Sequence, residues 1–111
     1  MNVDAFLPLT TPVYAVLLTL GTGCMHGYGI IQAFEERTGQ KDVLLPGSLY
    51  NTIARMLRQG LLEEAPTPEA EADPRRRYYR ATELGRQVVA AESARLRTLL
   101  SLAQGAGPST A

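Results

Sequence analysis

Pro46-Gly47-Ser48-Leu49-Tyr50-Asn51-Thr52-Ile53-Ala54-Arg55-Met56-Leu57-Arg58-Gln59-Gly60 is the stretch on which the fold of this chain turns. Proline suits a first helical turn, where no amide donor is needed, and glycine suits the position just past a helix end, so the spacing predicts a helix over 46–59. Projected at about 100° per residue, one arc holds Leu49, Tyr50, Ile53, Ala54, Met56 and Leu57. The opposite arc holds Ser48, Asn51, Thr52, Arg55, Arg58 and Gln59, with two Arg and no acid. A solvated helix face ordinarily mixes both signs of charge. A face of Arg, Asn, Gln, Ser and Thr instead carries the donors and acceptors that match phosphates and base edges. Gly47 allows close backbone approach, either by a phosphate or by a neighbouring helix. Tyr50, at the edge of the apolar arc, either packs into the core or packs its ring and offers its hydroxyl to a phosphate.

Upstream, Thr10, Thr11 and Pro12 form a helix start in which a hydroxyl caps free amides. The helix over 13–20 is apolar around most of its circumference, which predicts burial. Gly21 and Gly23 end it. A second helix is expected from Gly27 to Thr38, with Ile30, Ile31 and Phe34 inward and Gly39 as its C-terminal cap. Tyr28, near its start, either meets a phosphate at the helix N-terminus or packs beneath the third helix.

Downstream, 61–65 and 77–81 read as two short strands, the second carrying Tyr78 and Tyr79, residue types favoured in strands. The stretch between them, with Pro66, Pro68 and Pro74, makes a hairpin with a long tip. Its charge is polarised: Glu63, Glu64, Glu69, Glu71 and Asp73 precede Arg75, Arg76, Arg77 and Arg80. The run Arg75, Arg76 and Arg77 suits a phosphate backbone or a minor groove, or else pairs with the acids beside it. Thr82 caps a last helix that opens on Glu83, an acid placed well for the helix dipole. That helix continues to about Ala103.

With 111 residues and 45% hydrophobic content, the chain has room for one compact domain and one extra element. The formal net charge is zero, so any basic surface is local. Lys41 is the only lysine, an Arg bias that points to a GC-rich genome and to no mechanism. The lone cysteine, Cys24, fits a reducing cytoplasm. The N-terminal stretch, with Asp4 and no basic residue, does not read as a secretory signal, and no apolar run reaches the roughly 18 residues of a membrane span. Cys24 and His26 lack a third group that would make them catalytic, and one His with one Cys falls short of a metal site. The expectation is therefore no enzyme, no metal and no cofactor.

The order helix, helix, helix, hairpin, helix is that of a winged helix with an added C-terminal helix. His26-Gly27-Tyr28-Gly29-Ile30, Pro46-Gly47-Ser48-Leu49-Tyr50, Gly60-Leu61-Leu62-Glu63 and Arg77-Tyr78-Tyr79-Arg80-Ala81-Thr82-Glu83-Leu84-Gly85 occur in this order. Together they resemble the PadR family pattern over residues 9–100. The resemblance implies a bacterial, dimeric, DNA-binding repressor of the cytoplasm. Its third helix enters the major groove, its hairpin is the wing, and a small aromatic or drug-like effector binds near the dimer helices. Two features depart from the pattern: Leu45 stands where a small polar cap is commoner, and the wing carries an acidic stretch.

The expected fold is mainly α with a small β-hairpin (α+β): a winged helix-turn-helix domain over 9–82, a C-terminal dimerisation helix over 83–104 and a disordered tail over 105–111. The expected DNA-binding residues are Tyr28, Gly47, Ser48, Tyr50, Asn51, Thr52, Arg55, Arg58, Arg75, Arg76 and Arg77. In the last helix the apolar stripe covers roughly half the circumference, more than one domain needs. Leu84, Val88, Leu96, Leu99, Leu100 and Ala103 are therefore expected at a homodimer interface, with Glu92 and Arg95 pairing across it. The competing reading is a winged helix that binds protein through the same polar face.

Overall fold

The computed structural model describes residues 2–68, 73 and 75–105. Among them, a short 3₁₀ turn at Val3–Phe6 precedes α1 (Thr11–Leu20), β1 (Met25–His26), α2 (Gly27–Thr38), α3 (Pro46–Arg58), β2 (Leu62–Ala65), β3 (Tyr78–Ala81) and α4 (Glu83–Ala103). Local chemistry accounts for the helix ends. Thr10 accepts the Val13 amide through its side chain, and Thr82 does the same for Gly85. Gly39 closes α2 at φ 71°, a left-handed conformation that costs glycine nothing. Leu45 makes no side-chain cap for α3, as the missing polar residue implies.

The three strands form one antiparallel sheet in the order β1-β3-β2. Leu62 faces Ala81 and Ala65 faces Tyr78 across the hairpin, and on the other side of β3 Met25 faces Tyr79 and His26 faces Tyr78. The expected two-stranded hairpin is thus a three-stranded sheet, because the segment entering α2 adds a short strand to its open edge.

Val16, Leu17, Ile30, Leu49, Ile53, Met56, Leu61 and Val88 are buried almost completely, so α1, α2, α3, the sheet and the first half of α4 share one core. The α1 helix differs from its expected full burial: Leu18 is 48% exposed. The join between α3, β2 and α4 is tight. Thr82 donates its hydroxyl to the Gly60 carbonyl, the Leu61 carbonyl accepts the Thr82 amide at 3.0 Å, and a Cβ at Gly85 would collide with that same Leu61 carbonyl. This junction fixes the direction in which α4 leaves the domain.

The expected cross-dimer role of Glu92 and Arg95 is not what their geometry serves. Glu92 is 2% exposed; it accepts the Leu9 amide at 2.8 Å and the Nε of Arg95 in its own chain at 2.6 Å. The cause is the N-terminal segment, which packs along α4 and covers this part of the stripe. Val88, also expected at the interface, is a core residue of its own chain. The tail beyond Gly105, together with Glu69, Glu71 and Pro74 of the wing, lies outside the described residues. Among the described residues no helix is long and apolar enough to cross a membrane.

Candidate nucleic-acid interface

The α3 helix buries Leu49, Ile53 and Met56, half-buries Ala54 and Leu57 beside them, and turns its polar face outward. Gly47, Ser48, Asn51, Arg55 and Arg58 are exposed, and Thr52 is half-buried. A Cβ at Gly47 would meet nothing within 4 Å among the described residues, so this glycine does not serve approach to a neighbouring helix. Ser48 donates to the Leu45 carbonyl at 3.4 Å, within its own first turn. Among the described residues neither Arg55 nor Arg58 has an acidic partner, which leaves this face with two uncompensated positive charges. The two arginines differ in surroundings. Arg55 and Gln59 line a groove with Phe6, Leu9 and Thr10 of the N-terminal segment. By helix geometry Arg58 lies with Asn51 on the side away from the buried residues.

A second group of expected residues gathers around a cleft of about 310 Å³ between the start of α2 and the wing, lined by His26, Tyr28, Tyr50, Arg75, Arg76, Arg77 and Tyr79. Tyr28 is 55% exposed and Tyr50 is 53% exposed, so neither is a core residue. Tyr50 also lies over Gly27: a Cβ there would come within 2.9 Å of the tyrosine hydroxyl, so a larger residue would push this exposed ring aside. His26, not among the expected site residues, is the N-cap of α2. Its Nδ1 accepts the Gly29 amide at 3.1 Å, its Nε2 lies 3.2 Å from Nη1 of Arg76, and its ring meets Tyr78 edge-on. The sequence signal was available, since an acceptor side chain three residues before Gly29 fits a cap, but histidine is an uncommon choice.

The wing arginines pair with the wing acids. Arg75 bonds Asp73 at 3.1 Å, Arg77 lies 3.5 Å from Glu64, and Arg80 bonds Glu63 at 2.8 Å across β2 and β3. The Arg75 side chain and amide hold the Asp73 carboxyl below its ordinary range. The wing is thus partly neutralised by itself, whereas the α3 face is not.

Along α4 the expected interface divides. Leu84 and Leu96 are half-buried in their own chain, while Leu99, Leu100 and Leu102 are 50%, 53% and 62% exposed. Ala103 is exposed and Arg95 intermediate.

Comparison with curated protein sequences finds no match. Solved structures of similar fold include a PadR family transcription regulator from hypervirulent Clostridium difficile, with 22% identity and a TM-score of 0.71 over 84% of this chain and 94% of that one. A transcriptional regulator from Clostridium thermocellum matches with 22% identity and a TM-score of 0.69, over 84% of this chain and 86% of that one. Bacillus subtilis PadR in complex with operator DNA matches with 24% identity and a TM-score of 0.64, over 76% of this chain and 47% of that one. At these identities the likeness is one of fold. The Transcriptional regulator PadR-like family profile matches residues 16–91, most of the ordered core described above. The winged helix-turn-helix chain therefore belongs to the PadR-like family, a family of transcriptional regulators and not of enzymes.

Proposed function

We propose that the protein is a sequence-specific repressor that binds a two-fold symmetric operator as a homodimer in the bacterial cytoplasm. The observation that carries this reading is the exposed polar face of α3, where Arg55 and Arg58 have no acidic partner among the described residues and stand beside Asn51 and Ser48. Such a face reads base edges when its helix enters a major groove, and two copies must then stand about one DNA turn apart. The exposed Leu99, Leu100 and Leu102 at the far end of α4 support a dimer contact there, since several adjacent leucines in water favour association. A further exposed apolar side chain, Leu18 of α1, borders a groove of about 220 Å³ with Val89 and Arg86 of α4. This groove offers one place for a small-molecule effector that releases the repressor.

The paired wing supports a second reading, a protein-interaction module. Glu63 and Glu64 reduce the positive charge that a DNA wing ordinarily presents. Sequencing the genomic fragments captured by the full chain separates the two. One palindromic site upstream of a promoter supports the repressor, and fragments without a common sequence support the interaction module.

A further inference from the structure

We infer that Leu45 reads a thymine of the operator, its side chain packing against the C5-methyl group in the major groove beside the base pairs that α3 contacts. In this it rests on the DNA-binding reading above. A single exposed leucine is ordinary on a protein surface, and three observations set this one apart. The first is position. Leu45 is the N-cap of α3 and 49% exposed, and Pro46, Gly47 and Ser48 after it are exposed as well. Among the described residues the other exposed leucines, Leu18, Leu99, Leu100 and Leu102, lie on α1 and α4. A recognition helix meets base edges with its N-terminal residues, which is where this leucine stands.

The second observation is what the helix forgoes. A serine, threonine or aspartate at this position would cap the free amides of α3, and the leucine side chain makes no such bond. Gly47 weakens the same turn, since glycine is a poor helix former, and a Cβ there would meet nothing within 4 Å among the described residues. Neither choice stabilises α3. Both suit a base pair drawn close: the missing Cβ opens the approach, and the leucine meets it with an apolar surface. The third observation is rigidity. Pro46 holds the residue before it extended, at φ −104° and ψ 142°. The Leu45 carbonyl accepts the Leu49 amide at 2.8 Å and the Ser48 hydroxyl at 3.4 Å. The leucine is thus fixed to α3 alongside Ser48, and Thr52 and Arg55 follow on the same ridge at four- and three-residue spacing. The thymine methyl is the apolar group that base pairs show in the major groove, so an aliphatic side chain among polar readers selects thymine over cytosine.

Deoxyuridine in place of thymidine removes the methyl and leaves the base pairing. Affinity is measured for the genomic duplex captured by the full-length chain, and for copies in which one thymine at a time becomes uracil. The proteins compared are the wild type, Leu45→Ser, which supplies a cap and so keeps α3, and Leu45→Ala, which only shortens the side chain. At one thymine of each half-site the wild type should lose about fourfold on replacement, the worth of one buried methyl group. At that same thymine both variants should lose nothing, because the partner of the methyl is already gone. A wild type indifferent to uracil at every position overturns the inference. Equal losses for wild type and variants at every sensitive thymine overturn it too, since other residues then touch those methyl groups. Capture of fragments without a common sequence overturns the DNA-binding reading itself, and the role of Leu45 falls with it.

Discussion

Glu92, near the middle of α4, accepts the backbone amide of Leu9 across 83 residues of sequence at 2.8 Å. The same carboxylate takes two bonds from Arg95, at 2.6 and 3.1 Å, so one buried acid ties the N-terminal segment to α4 and satisfies an arginine. The Arg95 hydrogen bonds hold its pKa below the ordinary value, against the opposing effect of burial, and the Leu9 amide helps. A carboxyl depressed in the folded state contributes its full stability above its unfolded pKa of about 4.3 and loses it as pH falls through the folded value. Glu92→Gln keeps an acceptor for Leu9 and removes the charge. Its melting temperature should therefore fall less than that of the wild type when pH drops below about 4.3. At neutral pH Glu92→Ala should cost about 1–3 kcal/mol, because it leaves the Leu9 amide without its acceptor. Thermal melts across a pH series measure both, and parallel curves for wild type and Glu92→Gln would show that the carboxylate carries no such linkage.

The far end of α4 should carry association and little monomer stability. Leu99 and Leu100 are each about half exposed, so changing both to Glu adds charge where the isolated chain already meets water. The double variant should keep its helical circular dichroism and sediment as a monomer. Changing Val88 instead should unfold the domain, because that side chain is fully buried in its own core. A Leu99/Leu100 double variant that still sediments as a dimer would move the interface elsewhere, with Leu18 and the groove beside it the next surface to alter.

Much of this fold is legible in local chemistry. The caps at Thr10, Gly39 and Thr82, the proline at the start of α3 and the polar arc of that helix are all read over four to five neighbouring positions, and the structure has them at those positions. What was not legible is what depends on distant residues. The Met25–His26 strand is too short to show alternation and exists only because β3 lies beside it. The apolar stripe of α4 could not reveal that Leu9 of the N-terminal segment bonds Glu92 or that Val88 sits in the core of its own chain. The spacing of His26 and Cys24 shows neither a nucleophile nor a metal site, and it does not show what His26 does contact: the Gly29 amide as a helix cap, and an arginine fifty positions away just before β3.

The acids of the wing should restrain DNA binding. Arg77 lies 3.5 Å from Glu64 and Arg80 lies 2.8 Å from Glu63, all four side chains about half exposed or more. Exposed pairs of this kind are worth about 0.2–1 kcal/mol each. Glu63→Gln with Glu64→Gln should therefore leave the fold intact and raise affinity for any duplex by roughly twofold to tenfold at low salt. The gain should shrink as salt rises, and equilibrium binding at several salt concentrations measures it. Unchanged affinity at every salt would mean that the wing arginines do not approach DNA.

The last prediction separates base reading from phosphate holding. Arg55 and Arg58 project from a rigid helix and have no acidic partner among the described residues, so each can offer a fixed bidentate fork to a guanine edge. Arg75 projects from the wing and is engaged by Asp73 at 3.1 Å, a support suited to following a phosphate backbone and not to holding a base. Arg55→Ala and Arg58→Ala should each weaken the captured operator by about 1–3 kcal/mol and a scrambled duplex much less, so the specificity ratio falls. Arg75→Ala should weaken both duplexes by similar factors and reduce the salt slope by about one unit. The groove that Arg55 shares with the N-terminal segment adds a further distinction. Loss of specificity on changing Arg58 but not Arg55 would place base reading on the outward ridge of α3 and leave Arg55 to packing beside Phe6 and Leu9. Equal losses on operator and scrambled DNA for both variants would mean that α3 holds phosphates and reads no sequence. No loss for any of the three at any salt would take the polar face away from DNA and give it to a protein partner.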